Sequence, residues 1–83
     1  MENMNKILNQ VRLEYKSASG KYPRFHSTHE GYAVIAEELD ELWDLVKANK
    51  DINGNGEFKK ECVQIAAMAV RFIVDLCSEG NND

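Results

Sequence analysis

The segment from Cys62 to Cys77 constrains the fold most, because its only strongly polar residues are Gln64, Arg71 and Asp75. At about 100° per residue, those three side chains fall on one narrow row, so a helix here is apolar over nearly all its surface. A helix of that kind must be surrounded by protein. A chain of 83 residues has too few other helices to surround it. The sequence therefore predicts an all-α fold, in which three-helix protomers assemble into a helical bundle by oligomerisation.

Two amphipathic helices precede this segment, and no stretch indicates a β-strand. Apolar side chains recur every three or four residues from Met4 to Ala18, and Gly20 is the expected helix stop. Ser27 and Glu30 have the spacing of an N-terminal capping box. Within a single domain, 1–83, we expect helices over about 4–18, 28–49 and 57–78, loops over 19–27 and 50–56, and a polar tail over 79–83.

Composition favours a small cytoplasmic domain. Apolar residues make up 43% of the chain and charged residues 29%, which excludes a disordered tail. No apolar run approaches the roughly 18–20 residues that span a bilayer, and the polar N-terminus lacks a signal-peptide core. Two cysteines do not make a disulfide framework, and we expect both to be inert thiols in the core. We therefore expect a cytoplasmic protein without a membrane partner.

Charge is distributed unevenly along the chain, although its net value is −4. Residues 1–29 carry +3, and the remainder carries −7. Because the basic stretch is short, we expect no nucleic-acid partner. A compact acidic half beside a small basic segment suits a metal ion that bridges to a small phosphorylated ligand.

The second helix carries more apolar surface than one core needs. Val34 and Leu45 lie away from its main apolar stripe, on the flank that also holds Glu38 and Glu41. We expect the stripe to be core and the opposite face to be solvated by Glu37, Asp40, Asp44 and Lys47. The apolar stripe consists of Tyr32, Ile35, Ala36, Leu39, Leu42, Trp43 and Val46.

Four oxygen-bearing side chains on two successive helices form the candidate chemical site. Glu38 and Glu41 are three residues apart, and Glu61 and Gln64 repeat this spacing on the next helix. The short connection makes these helices antiparallel neighbours, so the four side chains can converge across one groove. Hard oxygen ligands without a zinc pattern favour Mg²⁺ or Mn²⁺, which points to phosphate ester or anhydride chemistry. The alternative is a solvated acidic face.

At these residues the chain resembles MazG-like nucleotide pyrophosphohydrolases, the all-alpha NTP pyrophosphatases. Their signature is EExxE, a spacer and then ExxD. It is matched here by Glu37-Glu38-Leu39-Asp40-Glu41 and then by Glu61-Cys62-Val63-Gln64. Thr28-His29-Glu30 is similar to a lead-in found in several members. The resemblance covers roughly residues 27–76.

The resemblance implies a bundle assembled as a homodimer or homotetramer, with Mg²⁺-dependent hydrolysis of a nucleoside triphosphate to a monophosphate and pyrophosphate. It implies that Glu38, Glu41 and Glu61 ligate the metal, with Gln64 in the place of the family's aspartate. Glu37 would orient water or a ligand, or act as the base. The implied catalytic residues are therefore Glu37, Glu38 and Glu41.

Gln64 is also where the chain departs from the family, because its carbonyl is neutral. Over the four positions the charge falls from −4 to −3, so Mg²⁺ should bind more weakly. The chain is also short, so a further substrate-binding helix is missing or comes from a neighbouring subunit. The alternative function is a catalytically silent MazG-like oligomer that acts as a nucleotide-binding or protein-interaction module.

Four basic residues are candidate substrate-binding groups: Lys16, Lys21, Arg24 and Arg71. The first three could grip a triphosphate if their loop folds over the acidic groove, and solvated loop charges are the alternative. Arg71 could contact phosphate, or it could pair with Asp75 one turn on, with their row as the wet side of the third helix.

The loop from Asp51 to Glu57 partly matches a calcium-binding EF-hand. Asp51, Asn53, Asn55 and Gly56 fit its first half, but Cys62 stands where the bidentate glutamate is required. A plain turn is the favoured interpretation.

Overall fold

The computed structural model describes residues 3–49 and 56–77, which form three α-helices and a π-helical segment. The helices are α1 (Met4–Lys21), α2 (Thr28–Ala48) and α3 (Glu57–Phe72), and the π-helical segment Ile73–Cys77 continues α3. These described ranges contain no strand, so the predicted all-α class is confirmed. The polar tail and most of the calcium-loop pattern lie outside the described residues.

The first helix continues beyond its expected end, and a proline determines where it stops. Asn3 begins α1 by accepting a hydrogen bond from the Lys6 backbone N–H at 2.9 Å. The helix passes through Gly20, so the expected stop there is wrong, and ends at Lys21. The next residue is extended at φ −125° because it precedes Pro23, which disfavours helical backbone at the position before it.

The other two helices have local end signals. Ser27 begins α2 by accepting a hydrogen bond from the Glu30 backbone N–H at 3.1 Å, as the capping spacing predicts. Asn49 ends α2 in the left-handed conformation, at φ 56°. The expected third helix, 57–78, is α-helical only to Phe72 and then widens into the π-helical segment.

Both α1 and α2 pack mainly against α3, and the core between them is small. α2 and α3 are antiparallel and approach closely at Gly31, where an added Cβ would lie 2.5 Å from Cδ2 of Phe72. The buried apolar residues are Ala18, Phe25, Ala67 and Met68. Half-buried apolar residues complete the core: Val11, Tyr15, Val34, Ile35, Phe72 and Leu76.

Much of the apolar stripe on α2 is exposed, so placing Tyr32 and Trp43 in the core of the protomer is wrong. Tyr32 is 71% exposed and Trp43 is 56% exposed, and Leu39 and Val46 are exposed as well. The reason is that α2 turns its other flank, with Val34, towards α3. The apolar stripe then has no neighbour along much of its length within the protomer.

Two further expectations for the third helical segment need correction. Cys62 and Cys77 are exposed rather than core thiols. The polar row is not the wet side of the helix, because Arg71 is buried and the Asp75 side chain is only 8% exposed. The row faces inward because the chain between α1 and α2 passes over it, with Phe25 packed against Arg71. Within the described ranges, no helix combines the length and the apolar character needed to cross a bilayer.

Candidate metal centre

Three carboxylates from two helices converge at one end of the α2–α3 interface. Glu38, Glu41 and Glu61 each present an oxygen atom, and these atoms lie within 4.8 Å of one another. The i, i+3 spacing places the first two on one flank of α2. The antiparallel packing of α3, fixed at the other end where Gly31 meets Phe72, brings Glu61 opposite them. We call these three residues the carboxylate triad.

The negative charges of the triad lie close together where water is partly excluded, and the pKa values of Glu61 and Glu41 are raised as a result. Burial, with a hydrogen bond and the negative charge of Glu38, raises the pKa of Glu61 to about 7, although Glu41 and Lys60 oppose the shift. Slight desolvation and then the charge of Glu61 also raise the pKa of Glu41, although Glu41 is exposed. Glu61 therefore keeps a proton to a higher pH than an ordinary glutamate.

The donor set of the triad fits a hard divalent cation. Oε2 of Glu61 is buried and has no hydrogen-bond partner among the described residues. A divalent ion would satisfy that oxygen and offset the repulsion among the three carboxylates. Oxygen ligands without histidine or cysteine suit Mg²⁺ or Mn²⁺ rather than zinc.

The triad lies between two grooves on the protomer surface. Glu38 lines a groove of about 510 Å³ that is enclosed by residues of all three helices. Glu41 and Glu61 line a smaller groove of about 380 Å³ together with Lys60. The larger groove therefore reaches the triad at Glu38, and the smaller one reaches it at Glu41 and Glu61.

Two more of the predicted site residues, Gln64 and Glu37, line the larger groove. Gln64 is half-buried and lines the same groove as Glu38, and Glu37 lines it as an exposed residue of α2. The arrangement brings Gln64 to the predicted groove and leaves Glu37 accessible to water. Both positions suit residues that act beside the triad.

Of the four basic candidates, the structure brings two to this groove. Lys21 and Arg71 line it. Arg24 is directed elsewhere, because its Nε lies 3.5 Å from Oδ1 of Asp75. Lys16 is exposed on α1 and is not part of the groove lining.

Sequence reasoning missed how the chain before α2 is held over the groove. The Asp75 carboxylate accepts a hydrogen bond from the Phe25 backbone N–H at 3.0 Å and pairs with Arg24. The expected alternative, a pair between Arg71 and Asp75, is therefore wrong. A signal was available, since a lone acid in an apolar helical segment must find a donor when it is buried.

Comparisons of the chain with protein-family models, with curated protein sequences and with solved structures gave no match. The MazG-like resemblance therefore stays an expectation, and the case for a function rests on the geometry of the triad and its grooves.

Proposed function

We propose that this chain is a Mg²⁺-dependent nucleoside triphosphate pyrophosphohydrolase that releases a nucleoside monophosphate and pyrophosphate. The observation that carries the proposal is the convergence of Glu38, Glu41 and Glu61 from two helices, with one buried oxygen lacking a partner. A solvated acidic face does not account for that oxygen. It also does not account for the raised pKa of Glu61.

Each part of the site has a role in this reaction. The triad would hold Mg²⁺, with Mn²⁺ as an alternative, and the bound ion would neutralise charge on phosphate oxygens and lower the pKa of a water. Glu37 is exposed on the groove, where it orients the attacking water or acts as the base that accepts the proton of this water. Water adds to the α-phosphorus, the bond to the bridging oxygen breaks, and pyrophosphate leaves with that oxygen.

Gln64 sets how strongly the cation is held before substrate arrives. Its amide oxygen is a neutral ligand where a carboxylate would add a full negative charge. We therefore expect the protein to bind Mg²⁺ weakly alone and more tightly in the presence of a nucleotide, whose phosphates would supply further oxygen ligands.

We also propose that the active form is a homodimer or homotetramer built through the apolar stripe of α2. Tyr32, Leu39, Trp43 and Val46 are all exposed on the protomer, although large apolar side chains in a row favour burial. A second copy presents the same stripe, so a two-fold contact between α2 helices buries both. The bundle then gains the core that one short chain lacks.

The test is a pyrophosphate-release assay with a panel of NTPs and dNTPs, in Mg²⁺ or Mn²⁺. We expect release for at least one nucleotide, and its loss in Glu41→Gln, which removes one triad charge from an exposed position. Asp40→Asn is the matched control, because it makes the same change on the solvated face of α2. No release by the wild type, or equal release by both variants, would contradict the proposal.

The second candidate function is a non-catalytic nucleotide-binding module of the same fold, and the neutral Gln64 is the observation that favours it. It predicts metal-dependent nucleotide binding by calorimetry without pyrophosphate release. A protein-interaction module would show neither.

A further inference from the structure

Arg71 is the one buried charged residue in the described ranges, at 4% exposure. Its guanidinium lies 4.4 Å from the centre of the Phe25 ring. Nη2 donates to the carbonyl oxygen of Pro23 at 2.9 Å, and Nη1 lies 3.7 Å from the sulfur of Met68, a weak acceptor. Nε is buried and has no hydrogen-bond partner among the described residues. None of these contacts supplies negative charge.

The carboxylate nearest in sequence forms no ion pair with Arg71, although the two residues line a common groove. Asp75 lies one turn further on, but it accepts the Phe25 N–H and pairs with Arg24. Across residues 3–49 and 56–77, no carboxylate forms an ion pair with Arg71. A buried guanidinium without an ion-pair partner is costly, and an anion bound from outside the protomer would stabilise it.

The groove that Arg71 lines contains one member of the carboxylate triad, Glu38. Lys21 adds a second positive charge to the groove, and Glu38 and Gln64 line it as well. Three further carboxylates also line it, from Glu14, Glu30 and Glu37. They disfavour a bare anion in the groove as a whole. An anion bound to a divalent cation suits the groove better. Its cation would lie near Glu38, and its oxyanions would contact Lys21 and Arg71.

We propose that Arg71 is an anion-binding residue, whose guanidinium receives oxygens of the pyrophosphate part of the nucleotide. This inference rests on the proposed function, because the triad must hold the cation that accompanies those phosphates. Nε and an adjacent Nη form a planar fork that matches two phosphate oxygens. The packing of Phe25 on the guanidinium fixes that fork in place.

The direct test observes the Nε–H groups of the full chain by ¹⁵N–¹H NMR, with sodium pyrophosphate and Mg²⁺ as the probe. The sequence has three arginines, and each Nε–H signal is assigned through bonds from its own backbone. We expect the proton signal of Arg71 to move downfield and to saturate. Arg12, which is exposed, and Arg24, which is paired with Asp75, should move less. An Arg71 signal that stays still, or that sodium chloride of equal ionic strength moves as far, overturns the site.

A variant gives an independent measure of the same contact. Arg71→Lys keeps the charge and removes the planar fork, and we expect at least a tenfold loss in affinity for Mg²⁺–pyrophosphate by calorimetry. Arg12→Lys is the matched control, because Arg12 is exposed and does not line the groove, and it should bind within twofold of the wild type. Equal affinities for all three proteins would contradict the inference, and circular dichroism checks that each is folded. If Arg71→Lys does not fold, the NMR titration of the wild type decides whether Arg71 binds the anion.

The outcomes separate this inference from the proposed function. An Arg71 signal that saturates, in a protein that releases no pyrophosphate from any nucleotide, supports the anion site and contradicts the hydrolase. Pyrophosphate release with an unmoved Arg71 signal overturns the anion site and leaves the hydrolase standing.

Discussion

Glu61 shows which properties of a single side chain could be predicted from the sequence and which could not. The spacing of Glu38, Glu41 and Glu61 predicted a cluster, and the structure brings their oxygens together. Periodicity predicts which side chains share a face, but the burial of Glu61 depends on how α3 docks. Its raised pKa and its unpartnered oxygen could therefore not be predicted. The contacts of Arg71 depend on the chain before α2 in the same way.

The raised pKa of Glu61 predicts a specific pH dependence of stability in the absence of metal. The folded chain titrates Glu61 near pH 7, whereas the unfolded chain titrates it near 4.5. Between these values the folded state binds more protons. Stability from this group is therefore complete below about pH 4.5 and is lost as the pH rises through 7. We expect a loss of about 1–2 kcal/mol after allowance for solvent screening at this half-buried position.

Urea unfolding at pH 5, 6, 7 and 8 measures this effect, and Glu61→Gln isolates it from other titrating groups. The free energy of unfolding of the variant relative to the wild type should rise with pH over this range. A constant difference would show that Glu61 titrates as an ordinary glutamate. Addition of Mg²⁺ at pH 8 should stabilise the wild type more than the variant.

Among the helices, α2 shows what periodicity can and cannot predict. Its start at Ser27 was correct because the capping residues are local in sequence. The expected burial of the main apolar stripe was not, because α2 has two apolar flanks and periodicity does not rank them. In the structure the flank with Val34 packs inside, and the apolar stripe stays largely outside. Gly31 helps to determine which flank of α2 packs on α3, since a larger residue there would prevent the close approach of Phe72.

Gly31→Ala should destabilise the protein although alanine is the better helix former. Its Cβ would lie 2.5 Å from Cδ2 of Phe72, and the overlap should cost about 1–3 kcal/mol. Gly20→Ala in α1 is the matched control, because nothing lies within 4 Å of its added Cβ. We expect that variant to gain up to about 1 kcal/mol from helix propensity. Equal shifts in the midpoint of urea unfolding for both variants would contradict the close contact of α2 and α3.

The whole chain has a small core and a large exposed apolar stripe. Only Ala18, Phe25, Ala67 and Met68 are buried apolar residues among those described, and none is a large side chain that is fully enclosed. A core of this size gives limited stability to a chain of 83 residues. Oligomerisation was predicted from the apolar character of the third helix, but the exposed aromatic residues Tyr32 and Trp43 lie in the stripe on α2, and α1 also exposes large apolar side chains. The sequence could not locate the exposed stripe on α2, because α2 and the third helix both carry surplus apolar surface.

Sedimentation at micromolar concentration should give a species heavier than the 9.5 kDa chain. Trp43→Glu places a charge within the stripe and should shift the protein to monomer, because burial of that charge is unfavourable. Asp44→Ala changes the neighbouring exposed position and should leave the assembly intact. A wild type that sediments as a monomer would contradict assembly through α2.

The most direct test of a cation held by the carboxylate triad is a Mn²⁺ titration followed by electron paramagnetic resonance. We predict one saturable ion per chain in the wild type and in Asp40→Asn, and at least a tenfold loss of affinity in Glu41→Gln. The absence of a saturable site in the wild type, or equal affinity in all three proteins, would contradict the account.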